Sequence, residues 1–364
     1  MHGKFVFLLH PLDMEHVYRE KPWAKWLPRR VVEFYMTKKK PFIASHITGI
    51  KSKTGDTAEG WFIIIPMTPD LMLKHDDIAT QRIIEAGHIG EKLGATIMGL
   101  GAFTAIVGGA GVKAAEALDG IGVTTGNSYT AYTAHEALLM GAREIGLNPE
   151  DPNLTLAVVG GTGSIGRIVA KLLAPKVNGK MVIVGRNKEK AEKVASELRP
   201  LTNAEVLSSD DVKGIMRQAD MAVTVSSAVD AIIGADDVKS GAVIVDVSRP
   251  RDVAEAVKDR DDVLVIDGGV VKIPGDVEFN FDFGFPPGTA FACMAETMML
   301  ALEGWSGDFS LTKELKEEQV LQTGQWAKKH GFELIWMRSF DLPVSEEKIK
   351  HMREIISRRV NSYG

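Results

Sequence analysis

The stretch LTLAVVGGTGSIGRIVAKLL, Leu154 to Leu173, constrains the fold more than any other part of the chain. A strand-sized apolar run, Leu154 to Val159, leads straight into glycines, and a helical pattern, Ile165 to Leu173, leads straight out of them. Gly161, Gly163 and Gly166 spell GxGxxG, and Gly160 permits a GxxGxxG reading as well. One glycine is needed where the chain turns sharply, one where backbone must approach an anion, and one where helix and strand pack closely. The helix then presents its free N–H groups to that anion. The pattern is weak when it stands alone. Between a strand and a helix it predicts a βαβ unit in which Gly160, Gly161, Thr162, Gly163, Ser164, Ile165 and Gly166 cradle a dinucleotide pyrophosphate.

Beyond Leu173 the alternation continues: strand Met181 to Val184, helix Lys188 to Leu198, then strands Met221 to Val225, Ala242 to Val247 and Val263 to Ile266. Alternating strands and helices predict an α/β fold with a Rossmann-type, doubly wound parallel sheet buried on both faces. Nearer the N-terminus, Phe5 to Leu9, Phe42 to Ile50 and Ala58 to Pro66 read as strands, the last two as a hairpin around Thr54, Gly55 and Asp56. A single long helix is expected from Thr68 to Gly94, a strand and loop from Thr96 to Val107, and a helix from about Tyr129 to Ile145. Pro286 and Pro287 introduce a helical pattern, Gly288 to Trp305, that returns to the first domain. The tail beyond it reads as helical, with Pro343 setting off a charged helix from about Ser345 to Val360. The expected organisation is therefore an N-terminal α/β substrate domain (1–150) ending in a linker at Asn148 to Asn153. A dinucleotide domain (151–285) and a return helix with helical C-terminal extension (286–364) complete the chain.

A nicotinamide dinucleotide with a free ribose 2′-OH usually meets an acid at the end of the second strand. Here that strand ends Val184, Gly185, Arg186, Asn187. Arg186 offers the cation and planar donors that a 2′-phosphate prefers, so NADPH is the expected cofactor; a solvated residue at a helix start is the plainer account. Ser226, Ser227, Gly268 and Gly269 come after strands at their carboxyl ends, where such sheets place the nicotinamide, and ordinary turns explain them equally well.

A net charge of −5 gives no global attraction for nucleic acid or anionic lipid. A local basic run, Arg29, Arg30, Lys38, Lys39 and Lys40, is either a docking face for an acidic partner or a solvated surface. One cysteine excludes an internal disulfide and fits a reducing cytoplasm. No apolar run reaches the ~18 residues of a membrane span, and Phe5 to Leu9 is too short for a signal-peptide core. His46, His88 and His135 show no chelating spacing, so no metal is expected.

That one cysteine, Cys293, sits in GTAFACMAETMMLALEGW about one turn into the expected helix, where the helix dipole favours a thiolate. Beside a reduced nicotinamide, a thiolate suits acyl transfer: it holds an acyl group as a thioester and presents that carbonyl to hydride. A small buried core residue is the competing account. Glu296, one turn on, reads as an outward, solvated residue. VTTGNSYTAY, Val123 to Tyr132, gathers hydroxyls and an amide before a helix. Thr125, Asn127 and Tyr132 are candidates to orient an acyl carbonyl, and helix capping explains the cluster as well.

TTGNSYTAY, GGTGSIG, VGRN and FACMAE, in this order, resemble the long-chain acyl-[acyl-carrier-protein] reductases known from cyanobacteria. SHITGIKSKTGDTAEG, MGLGAFTAI, VLVIDGGVV and KHGF (Lys329 to Phe332) extend the resemblance over all but about the last thirty residues. It implies reduction of a fatty acyl thioester by NADPH to a fatty aldehyde through an acyl-enzyme on the FAC cysteine, here Cys293. It maps the family's glycine turn onto Gly160, Gly163 and Gly166 and its Arg-Asn pair onto Arg186 and Asn187. The donor is an acyl carrier protein, docking on the basic N-terminal face, or coenzyme A. Where the family has Thr-His inside TTGNxxTAY, this chain has Ser128 and Tyr129, which removes that imidazole. An acyl tunnel lined by Met98, Leu100, Phe103, Phe291, Met294 and Met298 is expected, unless these are ordinary core. Two rivals are a shikimate-dehydrogenase-like oxidoreductase of a polar alcohol with no covalent step, and a non-catalytic NADP-binding sensor.

Overall fold

The computed structural model describes residues 2–228, 230–282, 284–311 and 314–361. The chain divides into two compact units. Unit 1 comprises Met1–Tyr129, Val271–Lys313 and Gln322–Glu333; unit 2 comprises Thr130–Val270, Glu314–Leu321 and Leu334–Gly364. The division falls inside the helix Asn127–Ile145 rather than in the expected linker, and the C-terminal third is shared out between the units instead of forming a segment of its own.

Unit 1 is built on strands β1 (His2–Leu9), β2 (Phe42–Lys51), β3 (Thr57–Ile64), β4 (Ile97–Leu100) and β5 (Gly122–Thr124). Parallel pairing joins β3–β1–β4–β5. The expected hairpin β2–β3 adds an antiparallel edge, which Gly275–Glu278 extends antiparallel to β2. Phe5, Val6, Phe7 and Leu8 are all buried, as a central parallel strand covered on both faces requires. The single helix expected over 68–94 is two, Pro69–Lys74 and Asp76–Leu93, broken at His75, whose φ of −132° and ψ of 58° leave the helical region. Just past the break the Asp76 carboxylate accepts from the Gly108 N–H at 2.9 Å. The Gly288–Trp305 segment also differs from expectation: Thr289–Phe291 is a short strand and only Ala292–Leu302 is helical. That cysteine helix packs on β1 and β4, the return to the first unit that its apolar sequence predicts.

Unit 2 carries β6 (Thr155–Val159), β7 (Lys180–Val184), β8 (Glu205–Ser209), β9 (Met221–Thr224), β10 (Val243–Asp246) and β11 (Leu264–Asp267), all parallel, in the order β11-β10-β9-β6-β7-β8. This is the doubly wound Rossmann order, with its switch point between β6 and β9. Val158, Ile183, Val223, Val245 and Ile266 fill one face of the sheet with the helix Ser164–Leu173; Ala157, Val182, Ala222, Ile244 and Val265 fill the other. The edge strand β8 escapes a reading based on apolar runs because EVLSS is half-exposed. In the tail, Glu317–His330 and Glu346–Asn361 are helices. Between them the expected helical pattern gives way to short strands at Glu333–Leu334, Arg338–Ser339 and Leu342–Pro343. Among the described residues no helix is long and apolar enough to cross a membrane.

Candidate functional site

In unit 2 the glycine turn stands at the switch point. Gly160 has φ of +79°, and a Cβ there would lie 2.7 Å from the Val225 carbonyl oxygen and 2.9 Å from the Ser226 nitrogen, so only glycine lets the turn after β6 rest on the end of β9. A Cβ on Gly166 would lie 2.4 Å from the Gly160 oxygen, which makes it the glycine that lets helix and turn pack. Gly161 lies against the Ile183 side chain and the Val158 carbonyl. Gly163 is different: its Cβ would meet only the Gly160 oxygen, at 3.3 Å. It is also the N-cap of the helix Ser164–Leu173, with no side-chain cap, so the first-turn N–H groups of Ser164, Ile165 and Gly166 are left for an outside acceptor. Thr162 packs beside Gly185. A helix start without its own cap, after a glycine turn, fits a pyrophosphate.

At the end of β7, Arg186 is exposed and has no hydrogen-bond or ion-pair partner among the described residues. Asn187 is the N-cap of the next helix, its side-chain oxygen accepting from the Lys190 N–H at 2.8 Å. Arg186 is therefore a free cation at the carboxyl end of β7, and Asn187 fixes the helix beside it.

The far side of the sheet holds a buried charged cluster absent from the expected site residues except for Ser226. Ser226 donates its hydroxyl to Asp252, which also accepts from the Ser226 N–H at 3.0 Å and the Ser248 hydroxyl at 2.6 Å. Asp246 accepts from the Thr224 hydroxyl and the Ser248 and Val253 N–H groups, each at 3.0 Å, and burial pushes its carboxyl up to about 6. Asp267 accepts from Arg251 at 3.0 Å and from the Asp341 N–H at 2.7 Å. The signal in the sequence is DVSRPRD, alternating charges directly after an apolar strand. The cluster pins the loops at the carboxyl ends of β9, β10 and β11. It commits the Ser226 hydroxyl to Asp252, while Ser227 is exposed and Gly268 and Gly269, the latter at φ +75°, turn at the end of β11.

In unit 1 the threonine-rich loop closes on the cysteine. Gly126 has φ of +73°, and a Cβ there would lie 2.3 Å from both Cα and Cβ of Cys293, so the TTGN backbone rests directly on the thiol-bearing residue. Cys293 occupies the first turn of its helix and keeps partial exposure. Burial pushes its thiol up to about 12, the nearby Glu296 adds to this, and the Met294 N–H opposes it. The thiol is thus neutral at physiological pH, opposite to the dipole expectation.

Glu296 corrects the expected outward position: it is fully buried. Its carboxylate accepts from the Thr124 hydroxyl at 2.5 Å and from the Tyr129 N–H at 2.7 Å, capping the start of the helix Asn127–Ile145 from the helix that carries Cys293. Burial raises its pKa, against these hydrogen bonds. The Thr125 hydroxyl donates to the Ser310 carbonyl at 2.6 Å, and the Ser310 and Ser128 hydroxyls meet at 2.6 Å. Thr125 therefore serves the loop; its one proton is committed. Asn127, half-buried at the helix start, has no side-chain partner among the described residues. Tyr132 lies in unit 2, where burial raises its phenol. Tyr129, at the family's His position, is buried. Met98, Leu100, Met294 and Met298 are fully packed core, Phe103 and Phe291 half-buried.

The two remaining resemblance segments meet each other. In the β2–β3 turn, the Ser52 hydroxyl lies 2.8 Å from His330 Nδ1, whose Nε2 lies 2.6 Å from Glu303, and the Lys53 N–H donates to the His330 carbonyl. Ser52 and His330 are buried, so this relay clamps a hairpin to a helix end. Among the described residues no group of three or more His, Cys, Asp or Glu gathers as a metal site would require.

Residues 151–268 match the family described as Shikimate / quinate 5-dehydrogenase. The chain is 29% identical over 365 residues to an aminotransferase, PigE, of a Serratia species, covering 96% of this chain but 42% of PigE, so it spans less than half of that relative. It is 28% identical over 307 residues to a long-chain acyl-[acyl-carrier-protein] reductase of Synechococcus elongatus, covering 80% of this chain and 87% of that one. The L-tryptophan dehydrogenase of Nostoc punctiforme superposes with a TM-score of 0.44 at 11% identity, over 98% of this chain and 89% of the other. The relationship to the two sequence relatives is distant. With the strand order and the uncapped glycine turn, the match over 151–268 makes unit 2 an NAD(P)-binding domain.

Proposed function

We propose that this chain reduces a fatty acyl thioester to the aldehyde at the expense of NADPH, with Cys293 as the nucleophile. The observation that carries the reading is the seating of the TTGN backbone on Cys293, because it gives the two motifs shared with the acyl reductases one common place and purpose. The likeness to the Synechococcus elongatus reductase over 87% of its length supports it.

NADPH, when bound, supplies hydride. The Gly160–Gly166 turn holds its pyrophosphate on the bare helix start, Arg186 takes the 2′-phosphate, and Ser227, Gly268 and Gly269 border the nicotinamide end, with Ser226 fixing the loop through Asp252. Cys293 Sγ bonds to the acyl carbon while the carrier thiol departs with the cysteine proton. After hydride reaches that carbon, the C–S bond breaks, Sγ regains a proton from water, and the aldehyde leaves. Asn127, with its unpaired amide at a helix start beside the cysteine loop, donates to the acyl oxygen. Tyr132 is a second candidate donor. Thr125 positions the loop.

A neutral thiol reacts slowly until a base removes its proton or a nearby positive charge stabilises the thiolate. Alkylation by iodoacetamide in the ligand-free protein should therefore climb about tenfold per pH unit right through neutrality, without the plateau of an activated cysteine. The neutral thiol is also what favours a second reading, direct hydride transfer to a polar carbonyl as in a shikimate-dehydrogenase-like enzyme. Intact-mass measurement after mixing with dodecanoyl-coenzyme A decides between them. An acyl adduct that NADPH removes, and that Cys293→Ala never forms, supports the thioester scheme. Unchanged turnover in Cys293→Ala, with no adduct in the parent protein, overturns it.

A further inference from the structure

We propose that the segment from Trp23 to Ile43 in unit 1 is a membrane-surface anchor that lays its aromatic side chains into the headgroup region of an anionic bilayer. This goes beyond the chemistry proposed for Cys293 and stands independently of it.

Fifteen large hydrophobic side chains are exposed on the described surface, and eight of them fall within these 21 residues. Such crowding marks an interaction surface, since apolar residues scattered singly need no explanation. The helix Arg29–Lys38 shows why it is more than crowding. Val32 and Met36 turn one face into the core of unit 1, as an ordinary surface helix does. Val31, Phe34 and Tyr35, at helical spacing i, i+3 and i+4, form a second apolar face that points to solvent and has no core to fill. In the preceding 3-10 helix, Pro22–Trp26, the two tryptophans stand three residues apart, a spacing that puts both on one side, and both are exposed. Ala24 between them is buried and fixes the turn.

The charge around these rings selects the occupant. From Arg19 to Lys40 there are eight basic and two acidic side chains in a chain whose net charge is −5. Lys38 sits over the Phe34 ring at 5.6 Å and Lys39 over Phe42 at 4.5 Å, so cationic heads ride on the aromatic bodies as they do at a lipid–water boundary. Among the described residues Lys21, Lys25, Arg30 and Lys40 have no acidic partner. An interfacial helix joins such basic residues to Trp and Phe and lies in the plane of the bilayer without spanning it, consistent with the lack of any spanning helix among the described residues. The shape separates a bilayer from an acidic protein. Trp26 is 89% exposed and Phe34 65%, so the rings project outward rather than line a groove. A fluid headgroup layer accepts projecting rings without a matching pocket; a folded partner needs one.

The test floats the full chain with vesicles of phosphatidylcholine alone or of equal parts phosphatidylcholine and phosphatidylglycerol. The proposal expects about tenfold more protein on the anionic vesicles, a difference that shrinks in high salt. The double variant Trp26→Ser/Phe34→Ser should fall to the level on phosphatidylcholine with its urea midpoint unchanged, because both side chains are exposed. Lys25→Glu/Arg30→Glu should lose the same difference through charge alone. Failure to float with anionic vesicles overturns the proposal, as does flotation indifferent to both double variants. Capture of purified acyl carrier protein through Trp26 and Phe34, with vesicles left unbound, overturns it in favour of a protein partner.

Discussion

Two glycine turns, Gly126 in unit 1 and Gly163 in unit 2, precede helices in this chain, and they differ in what occupies the space where a side chain would be. At Gly126 the protein fills it: the backbone of Cys293 lies where a Cβ would go, and the helix start beyond is capped from inside by Glu296. At Gly163 the only close neighbour is the Gly160 carbonyl oxygen, 3.3 Å from where a Cβ would lie, and the helix start beyond has no side-chain cap. The lesson is that a glycine motif points to a ligand only where the structure leaves the helix-start N–H groups unspent. The first turn is scaffold for the cysteine helix; the second is the receptacle that the proposed function requires.

The sharpest way to break this comparison is Gly126→Ala. The new Cβ meets backbone that cannot swing away and requires an unfavourable φ, so the loss should exceed about 4 kcal/mol and appear as insoluble protein or a collapsed urea midpoint. Glu296→Ala comes next: it leaves the Thr124 hydroxyl and Tyr129 N–H buried without their acceptor, at a cost of about 3 kcal/mol by urea denaturation, while Glu296→Gln should recover part of it. On the receptacle side, Arg186→Ala should raise KM for NADPH about thirtyfold and leave that for NADH nearly unchanged, since the side chain holds nothing in the protein itself. The smallest effect on folding belongs to Gly163→Ala. With φ of −80° and only the Gly160 carbonyl oxygen, at 3.3 Å, to give by a few tenths of an ångström, stability should move by about 1 kcal/mol, yet NADPH affinity measured by fluorescence titration should drop about tenfold. Should Gly163→Ala unfold the protein as Gly126→Ala does, the distinction between the two turns fails.

A fifth measurement sharpens the receptacle half through pH. Burial raises the Asp246 carboxyl from 3.8 to about 6, so the folded state holds a proton there that the unfolded chain gives up. Stability from this group is fully present below about 3.8 and is lost as pH rises through about 6. Asp246→Asn should flatten the urea midpoint over that window relative to the parent protein.

The dinucleotide unit is legible in the sequence because its strands are buried on both faces and therefore read as unbroken apolar runs, and because the helix Lys188–Leu198 carries its own cap in Asn187. The strand β8 is not, since an edge strand keeps polar residues on its exposed side. Glu296 defies the expected outward position although a signal exists: ACMAETMMLAL is apolar all round, and a helix with no solvent face has nowhere outside to put an acid. The His75 break is hidden because apolar spacing continues through it. The hairpin turn and KHGF are conspicuous as motifs but silent as chemistry; only the fold reveals that Ser52 and His330 are two ends of one clamp.

The polypeptide passes from one unit to the other five times, at 129/130, 270/271, 313/314, 321/322 and 333/334. Neither body can be liberated with a single cut. A fragment stopping at the seemingly natural boundary near 150 would forfeit the sulfur-bearing helix that plates its own sheet. During synthesis, the amino-terminal body must wait for residues through 333 to emerge, and the other for the helix Glu346–Asn361. Neither is complete before residue 333 has been made, which leaves both half-built sheets in need of shelter until then.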